Sequence, residues 1–374
     1  MGQLVGKIVL TGGPCAGKTT ALSTIEQELS DRGYRVFVVG ESATELIKGC
    51  IRPFGDKPFD LVDFQRLILQ YQMQKERIYE QAVEMLPEDE KCVILYDRGI
   101  MDNKAYITAD EFKMITQEQG LHELDLLDSY DMVLHLVTAA DGCPEYYTLE
   151  NNKARSETVE EAKELDKKTQ DAWLGHNRLV IVDNSTDFSE KINKVLENVL
   201  QLVRSPYSIR YQRKYLVDLG SSSLDLLRKK DVIKIDMDQT YLEEPREHYE
   251  RRLRKRTLGN EETFYITVQK KSGHGLNKIV TDKKITEKEY MRFLESPIAG
   301  TLKKERYTFV YKKQYFKLDI IDGVPYGVLE VNPTRSDVTI TLPPTLKVGR
   351  EVTDEEEFDA GTLARRKHLE YVKK

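Results

Sequence analysis

The chain has only four cysteines, Cys15, Cys50, Cys92 and Cys143, and no C-x-x-C pair among its 374 residues. That scatter argues against a zinc site and a disulfide framework, and for a reducing compartment. No apolar run approaches the ~18 residues that a membrane-spanning helix needs, so no transmembrane segment is expected. Met1 to Gly6 show no charged stretch followed by an apolar one, and Gly6 stands where a myristoylation signal wants Ser or Thr, so neither a secretory leader nor that lipid is expected. The guanine-reading N-K-x-D is missing too: Asn152-Lys153-Ala154-Arg155 ends on Arg, and Ile100 stands three places after Asp97 where a signalling GTPase has glycine. Base choice is therefore unreadable from motifs. The sequon Asn184-Ser185-Thr186 reads as a chance match in such a chain, and His122 and His135, beside apolar runs, read as core or surface residues.

What is present is charge, unevenly divided. From Ser205 onward there are 34 Lys and Arg against 27 Asp and Glu; before it, 23 against 36, so halves of +7 and −13 lie inside a net −6. A basic half suggests a unit that handles an anion, although solvated faces differing by chance read equally well from charge alone. Length allows two domains, placed at 1–204 and 205–374.

The most specific stretch is Thr11 to Thr20, which meets the P-loop template G-x-x-x-x-G-K-[ST] between an apolar run, Lys7 to Leu10, and a helical pattern with Leu22, Ile25 and Leu29 on one face. Gly12 and Gly17 can take backbone angles closed to other residues, turning successive N–H groups onto a phosphate at a helix N-terminus. The nucleotide-binding set is thus Gly12, Gly13, Pro14, Cys15, Ala16, Gly17, Lys18, Thr19 and Thr20, with Lys18 on the β/γ-phosphates and the Thr19 hydroxyl on Mg²⁺. GTP or ATP is the expected nucleotide.

Arg35 to Val39 is a second buried-strand run, and Glu41 follows its carboxyl end, where open α/β sheets keep ligands. Asp63 to Met85 has helical periodicity. Cys92 to Tyr96 ends in Asp97-Arg98-Gly99, the form of an element whose carboxylate holds the Mg²⁺ shell. Strands follow at 131–137 and 179–184, and between them a charged helix from Ala154 to Trp173 carries Arg155, Lys163, Lys167 and Lys168, either a lid that neutralises phosphate or a solvated face. The alternation predicts a doubly wound parallel sheet. Gly12 to Thr20, Glu41, Tyr96-Asp97-Arg98-Gly99 with Asp102, Ala105 and Tyr106, and Arg155 resemble the P-loop kinase group, nearest the ribosylnicotinamide-kinase-like ATPases. The resemblance implies Glu41 as general base, Asp97 with Thr19 on Mg²⁺, and Arg155 on the nucleotide; read alone, Glu41 serves equally as a helix N-cap.

From Ser208 the period becomes alternating, with runs at 209–217, 232–237, 248–256, 263–271, 305–313, 315–321 and 326–331, and helical stretches at 286–294 and near the C-terminus. A β-rich domain is expected. In Tyr249 to Arg256, strand alternation places Arg252, Arg254 and Arg256 on one face, and three arginines repel one another unless an anion lies between them. Lys214, Lys304 and Arg306 lie in other runs that can converge on it. The alternative is an edge strand blunted by charge.

This half resembles the CYTH domain, the triphosphate tunnel metalloenzyme barrel, which implies an α+β unit built on an antiparallel β-barrel. Arg252 to Arg256 match its arginine strand, Lys304-Glu305-Arg306-Tyr307 its K-x-R-Y element and Lys317-Leu318-Asp319 a later strand; Glu351-Val352-Thr353 match its E-V-T. Its opening E-x-E-x-K is Arg210, Gln212 and Lys214 here, and its second E-x-E is Glu330 with Asn332. The cations are kept and the metal-binding acids are reduced, so Glu330 and Glu351 are too few to hold a catalytic ion, and the expected behaviour is binding of polyphosphorylated groups without hydrolysis. The order of the two units resembles the TRPL translocation defect protein family. That implies GTP binding by the first unit, phosphoinositide binding by the second, and a cytoplasmic, peripherally membrane-associated regulator of membrane trafficking. Membrane-protein cargo is an expected partner and nucleic acid is not. A small-molecule kinase using Glu41, and less favoured an active triphosphatase, are the other readings.

Overall fold

The computed structural model describes residues 2–143, 158–203, 208–220, 227–271, 276–335 and 337–372. Its contacts divide it into two units, Met1–Val203 and Arg204–Lys374.

The first unit is built on strands that are apolar on both faces. β1 (Gln3–Thr11), β2 (Arg35–Val39), β3 (Lys91–Asp97), β4 (Met132–Leu136) and β5 (Leu179–Val182) pair in parallel in the order β2-β3-β1-β4-β5. Ile8, Val9 and Leu10 are all fully buried, as a strand covered on both sides by helices requires. On one side Leu22, Ile25 and Leu29 of α1 (Lys18–Ser30) and Ile192, Val195 and Val199 of α7 (Phe188–Val203) pack against Ile8, Leu10, Leu134 and Leu136. The remaining elements are α2 (Ser42–Lys48), α3 (Leu61–Glu84), a 3₁₀ turn (Ile100–Ala105), α4 (Ala109–Gln117), α5 (Glu123–Leu127) and α6 (Val159–Asp171). Of the expected 154–173 helix, residues 154–157 lie outside the described ones; α6 runs from Val159 to Asp171, its start capped reciprocally by the Thr158 hydroxyl and the Glu161 carboxylate. Arg155 lies outside the described residues.

The second unit is a ten-stranded antiparallel sheet. Its strands are β6 (Ser208–Tyr211), β7 (Arg213–Asp218), β8 (Ile233–Leu242), β9 (Tyr249–Leu258), β10 (Glu261–Lys271), β11 (Leu276–Ile285), β12 (Ile298–Tyr311), β13 (Gln314–Ile321), β14 (Tyr326–Val331) and β15 (Lys347–Glu351), with helices α8 (Glu287–Phe293) and α9 (Ala360–Val372). The order is β15-β7-β14-β13-β12-β8-β9-β10-β11-β6. The single strand expected at 209–217 is broken at Gln212, with a consequence for topology. Its first half pairs with β11 at one end of the sheet, and its second half with β14 and β15 at the other. One bent segment thus carries the sheet round on itself.

The alternation sorts the two faces. Tyr215, Val217, Phe309, Phe316, Leu318, Leu329 and Val331 form an apolar cluster with Leu346 on the outer face. Lys304, Arg306, Lys317, Asp319 and Glu330, one residue out of phase, share the inner face and bond to one another. Leu363 and Ala364 of α9 cover the inner-face residues Tyr241, Leu302, Ile321 and Val328.

Candidate functional site

The loop after β1 has the shape of an anion cradle. Gly12 has φ 136° and a Cβ there would lie 2.0 Å from the Leu136 carbonyl oxygen, so only glycine fits. Gly17, at φ 88°, is the left-handed N-cap of α1, and Cys15 adds a further positive φ of 54°. Lys18 folds back onto the loop, its Nζ donating to the carbonyls of Gly12 and Gly13 at 3.0 Å each. Burial, reinforced by the nearby Arg98 and opposed by Asp97, Glu41 and Asp102, lowers its pKa to about 8. Its partners are neutral, so an incoming phosphate displaces no carboxylate from this lysine.

Asp97 ends β3 in register with Leu10, immediately before the loop. Burial raises its pKa, against the pull of Lys18, and its Oδ1 is buried with no hydrogen-bond partner. An orphaned hard oxygen here, with the exposed Thr19 on the first turn of α1, fits a divalent cation such as Mg²⁺. Glu41 accepts from Arg98 Nε at 2.6 Å and from the Thr44 hydroxyl. Burial alone would raise its pKa; Arg98 above all, with Thr44 and Lys18, brings it down to about 2. Arg98 holds the strained φ of 71°, and its Nη1 is buried without a partner. Asp102, by contrast, is fully engaged, accepting from Thr11 Oγ1 at 2.6 Å, Trp173 Nε1 at 2.8 Å and Gly99 N at 3.1 Å.

Residues not singled out in the sequence brace the cradle. Asp166 Oδ1 accepts from Gly13 N at 2.7 Å and Thr138 N at 3.1 Å, tying the loop to β4 and α6. Lys191 donates to the carbonyls of Ala16 (3.0 Å) and Val137 (2.7 Å) and to Asn184 Oδ1 (2.8 Å), and burial lowers its pKa to about 8. The available signal was helical spacing: Asp166 shares the buried face of α6 with Ala162, Thr169 and Gln170, and Lys191 shares that of α7 with Val195 and Asn198. Lys163, Lys167 and Lys168 lie on the exposed face of α6, the last two paired to Asp171 and Glu164 at i,i+4. The Asn184 amide nitrogen donates to the carbonyls of Thr138 (2.8 Å) and Asp141 (2.7 Å), which leaves the sequon embedded.

In the second unit the inner face gathers the expected cations. Arg254 and Arg256 are 5% and 2% exposed, and Arg252 shares their face. Arg254 Nη2 meets Asp282 Oδ1 at 2.5 Å. Lys304 and Arg306 converge on Asp319, Lys304 Nζ at 2.6 Å and the Arg306 guanidinium bidentate at 2.6 and 2.8 Å. Lys214 Nζ lies 3.3 Å from Asp359. Lys304, mainly through burial and despite Asp319, has its pKa lowered to about 8.

The acids behave differently from metal ligands. Glu330 faces Lys317 at 3.8 Å and Arg306 at 3.5 Å, accepts from Asn332 Nδ2 at 3.2 Å, and is hydrogen-bonded by Gln212. Burial opposes its charge, yet these neighbours hold its pKa far below the carboxylate range. The two amides that stand where the resemblance expects acids, Gln212 and Asn332, therefore both donate to Glu330. Glu351 turns away to the outer face, bidentate with Arg213 at 3.0 and 2.6 Å. Among the described residues no three His, Cys, Asp or Glu side chains gather as a metal site. No helix among them is long and apolar enough to cross a membrane.

Residues 7–191 match the family model described as an AAA domain. The first unit is an AAA-like domain. No curated protein matches the chain. Among solved structures, the inorganic triphosphatase NE1496 is 21% identical, covering 42% of this chain and 94% of its own, with a TM-score of 0.30. The PH1819 protein from Pyrococcus horikoshii OT3 is 14% identical over 34% of this chain and 80% of its own, TM-score 0.28.

Proposed function

We propose that the first unit binds a nucleoside triphosphate, GTP or ATP, with Mg²⁺ held by Thr19 and Asp97, and that the second binds a polyphosphorylated group without hydrolysing it. The observation that carries the second half is Glu330: a carboxylate receiving Lys317, Arg306, Gln212 and Asn332 acts as a structural acceptor, leaving no open oxygen for a catalytic ion. The resemblance to the TRPL translocation defect protein family supplies the finer reading: GTP as nucleotide, a phosphoinositide headgroup as anion, and a role at membrane surfaces in trafficking of membrane-protein cargo. Cations near an anionic bilayer each add ~1 kcal/mol to such docking. The test is pelleting with phosphoinositide-containing liposomes. Binding is expected for the natural chain and lost in Arg252→Glu with Arg254→Glu; unchanged pelleting of that variant rules the reading out.

A kinase reading draws support from the placement of Glu41, Asp97 and Arg98 around the P-loop. Its difficulty is chemical. A carboxylate whose pKa lies at about 2 and which is paired to Arg98 takes a proton only after the acceptor displaces that arginine. Phosphoryl transfer from labelled nucleotide to a metabolite extract, lost in Glu41→Gln, would favour it.

A further inference from the structure

One exposed aromatic ring stands against the phosphate cradle. Phe188, the first residue of α7, is 52% exposed, yet its Cε2 and Cζ lie 2.7 and 3.2 Å from where a Cβ on Gly17 would be. The ring therefore rests on the last glycine of the loop, and any side chain at 17 would expel it. One helical turn later, Lys191 reaches the Ala16 carbonyl, so α7 grips the loop through two residues three apart. A ring left half in water at the mouth of an anion cradle is an open stacking face.

Several side-chain atoms of the β5–α7 loop are already engaged within the protein. Asn184 uses its nitrogen on backbone carbonyls and its Oδ1 on Lys191. Ser185 Oγ donates to Asp183 Oδ1 at 2.6 Å, Thr186 Oγ1 accepts from Lys194 at 3.1 Å, and Asp187 Oδ1 accepts from Glu190 N at 2.9 Å. These side-chain atoms are committed before a base arrives. A π face needs no commitment and accepts every base.

Resting on the nucleotide reading of the P-loop, we propose that Phe188 is the nucleobase platform of this site, and that it selects for an aromatic base by stacking with little discrimination between adenine and guanine. The triphosphate is held by the loop and the base lies on the ring.

The test uses the full chain with Arg252→Glu and Arg254→Glu, which silences the second unit's anion site. MgATP, MgGTP and magnesium tripolyphosphate are titrated calorimetrically, with and without Phe188→Ala. Both nucleotides should weaken about tenfold, by similar factors, with tripolyphosphate unchanged. Equal loss for all three ligands, or no loss for the nucleotides, overturns the proposal; the latter is also the result if the ring serves a protein partner. A nucleotide bound no more tightly than tripolyphosphate by the parent chain overturns stacking alone, whereas binding of none of the three overturns the P-loop reading with it. Should Phe188→Ala fail to fold, Phe188→Trp decides. Its fluorescence should be quenched by either nucleotide and not by tripolyphosphate, over the constant signal of buried Trp173, and absence of quenching contradicts the proposal.

Discussion

The two candidate anion sites hold their cations in opposite ways. In the first unit Lys18 rests on neutral carbonyls while the Asp97 oxygen has no donor; in the second, Lys304 and Arg306 rest on Asp319, and Glu330 is surrounded by donors. An anion and a divalent cation would satisfy the lysine and the acid of the first. The second is electrostatically self-contained, so a ligand entering it must compete with internal carboxylates. The lesson is that similar cations imply different chemistry once their resting partners are known.

The largest effects should come from removing those partners. Asp319→Asn leaves Lys304 and Arg306 buried on a neutral amide, a loss expected to cost ~3 kcal/mol or more of stability. Thermal unfolding should show it, with partial recovery on adding an inositol polyphosphate. Asp97→Asn is the counterpart: it removes a charge that burial disfavours on a carboxylate whose Oδ1 has no donor, so the melting temperature should hold or rise while Mg²⁺ ceases to tighten nucleotide binding. Equal destabilisation by both variants would abolish the contrast.

Next in size is Lys18→Ala, expected to weaken nucleotide by about 100-fold through lost charge-assisted bonds to phosphate, with inositol-polyphosphate binding intact. Chelation with EDTA should likewise weaken only the first site. Alkaline pH should affect both. The lysines at about 8 are charged below that pH, and because binding needs the charged form, affinity is full there and falls about tenfold per unit as pH rises beyond it. Titrations at pH 7 and 9 measure this. The smallest expected change is in Glu41→Gln, where nucleotide affinity should stay within about threefold, since the hydrogen bonds Glu41 makes are to Arg98 and Thr44 and its influence on Lys18 is only through space.

Much of this was legible in the chain. The P-loop, the parallel strands and the arginine face of β9 follow from local spacing, because φ demands at glycine and the period of two are local constraints. What was not legible depended on partners distant in sequence. Lys191 and Asp166 reach Ala16 and Gly13 across 175 and 153 positions, and only the fold brings them there. The break at Gln212 was hidden because both halves alternate alike, and the closure of the sheet, not propensity, bends the chain. Glu351 shows the same limit: its motif places it beside Glu330 among the remaining acids, and register turns it outward onto Arg213. Strands β11 and β15 were missed because polar and charged residues dominate them, leaving no apolar period to read.

The central claim is that the second unit binds polyphosphate and leaves it intact. Incubating Lys18→Ala with inorganic tripolyphosphate and Mg²⁺ or Mn²⁺, and following both ligand retention and phosphate release, tests it directly. The account predicts tripolyphosphate bound and recovered whole, with or without metal; metal-dependent release of phosphate by that variant would contradict it.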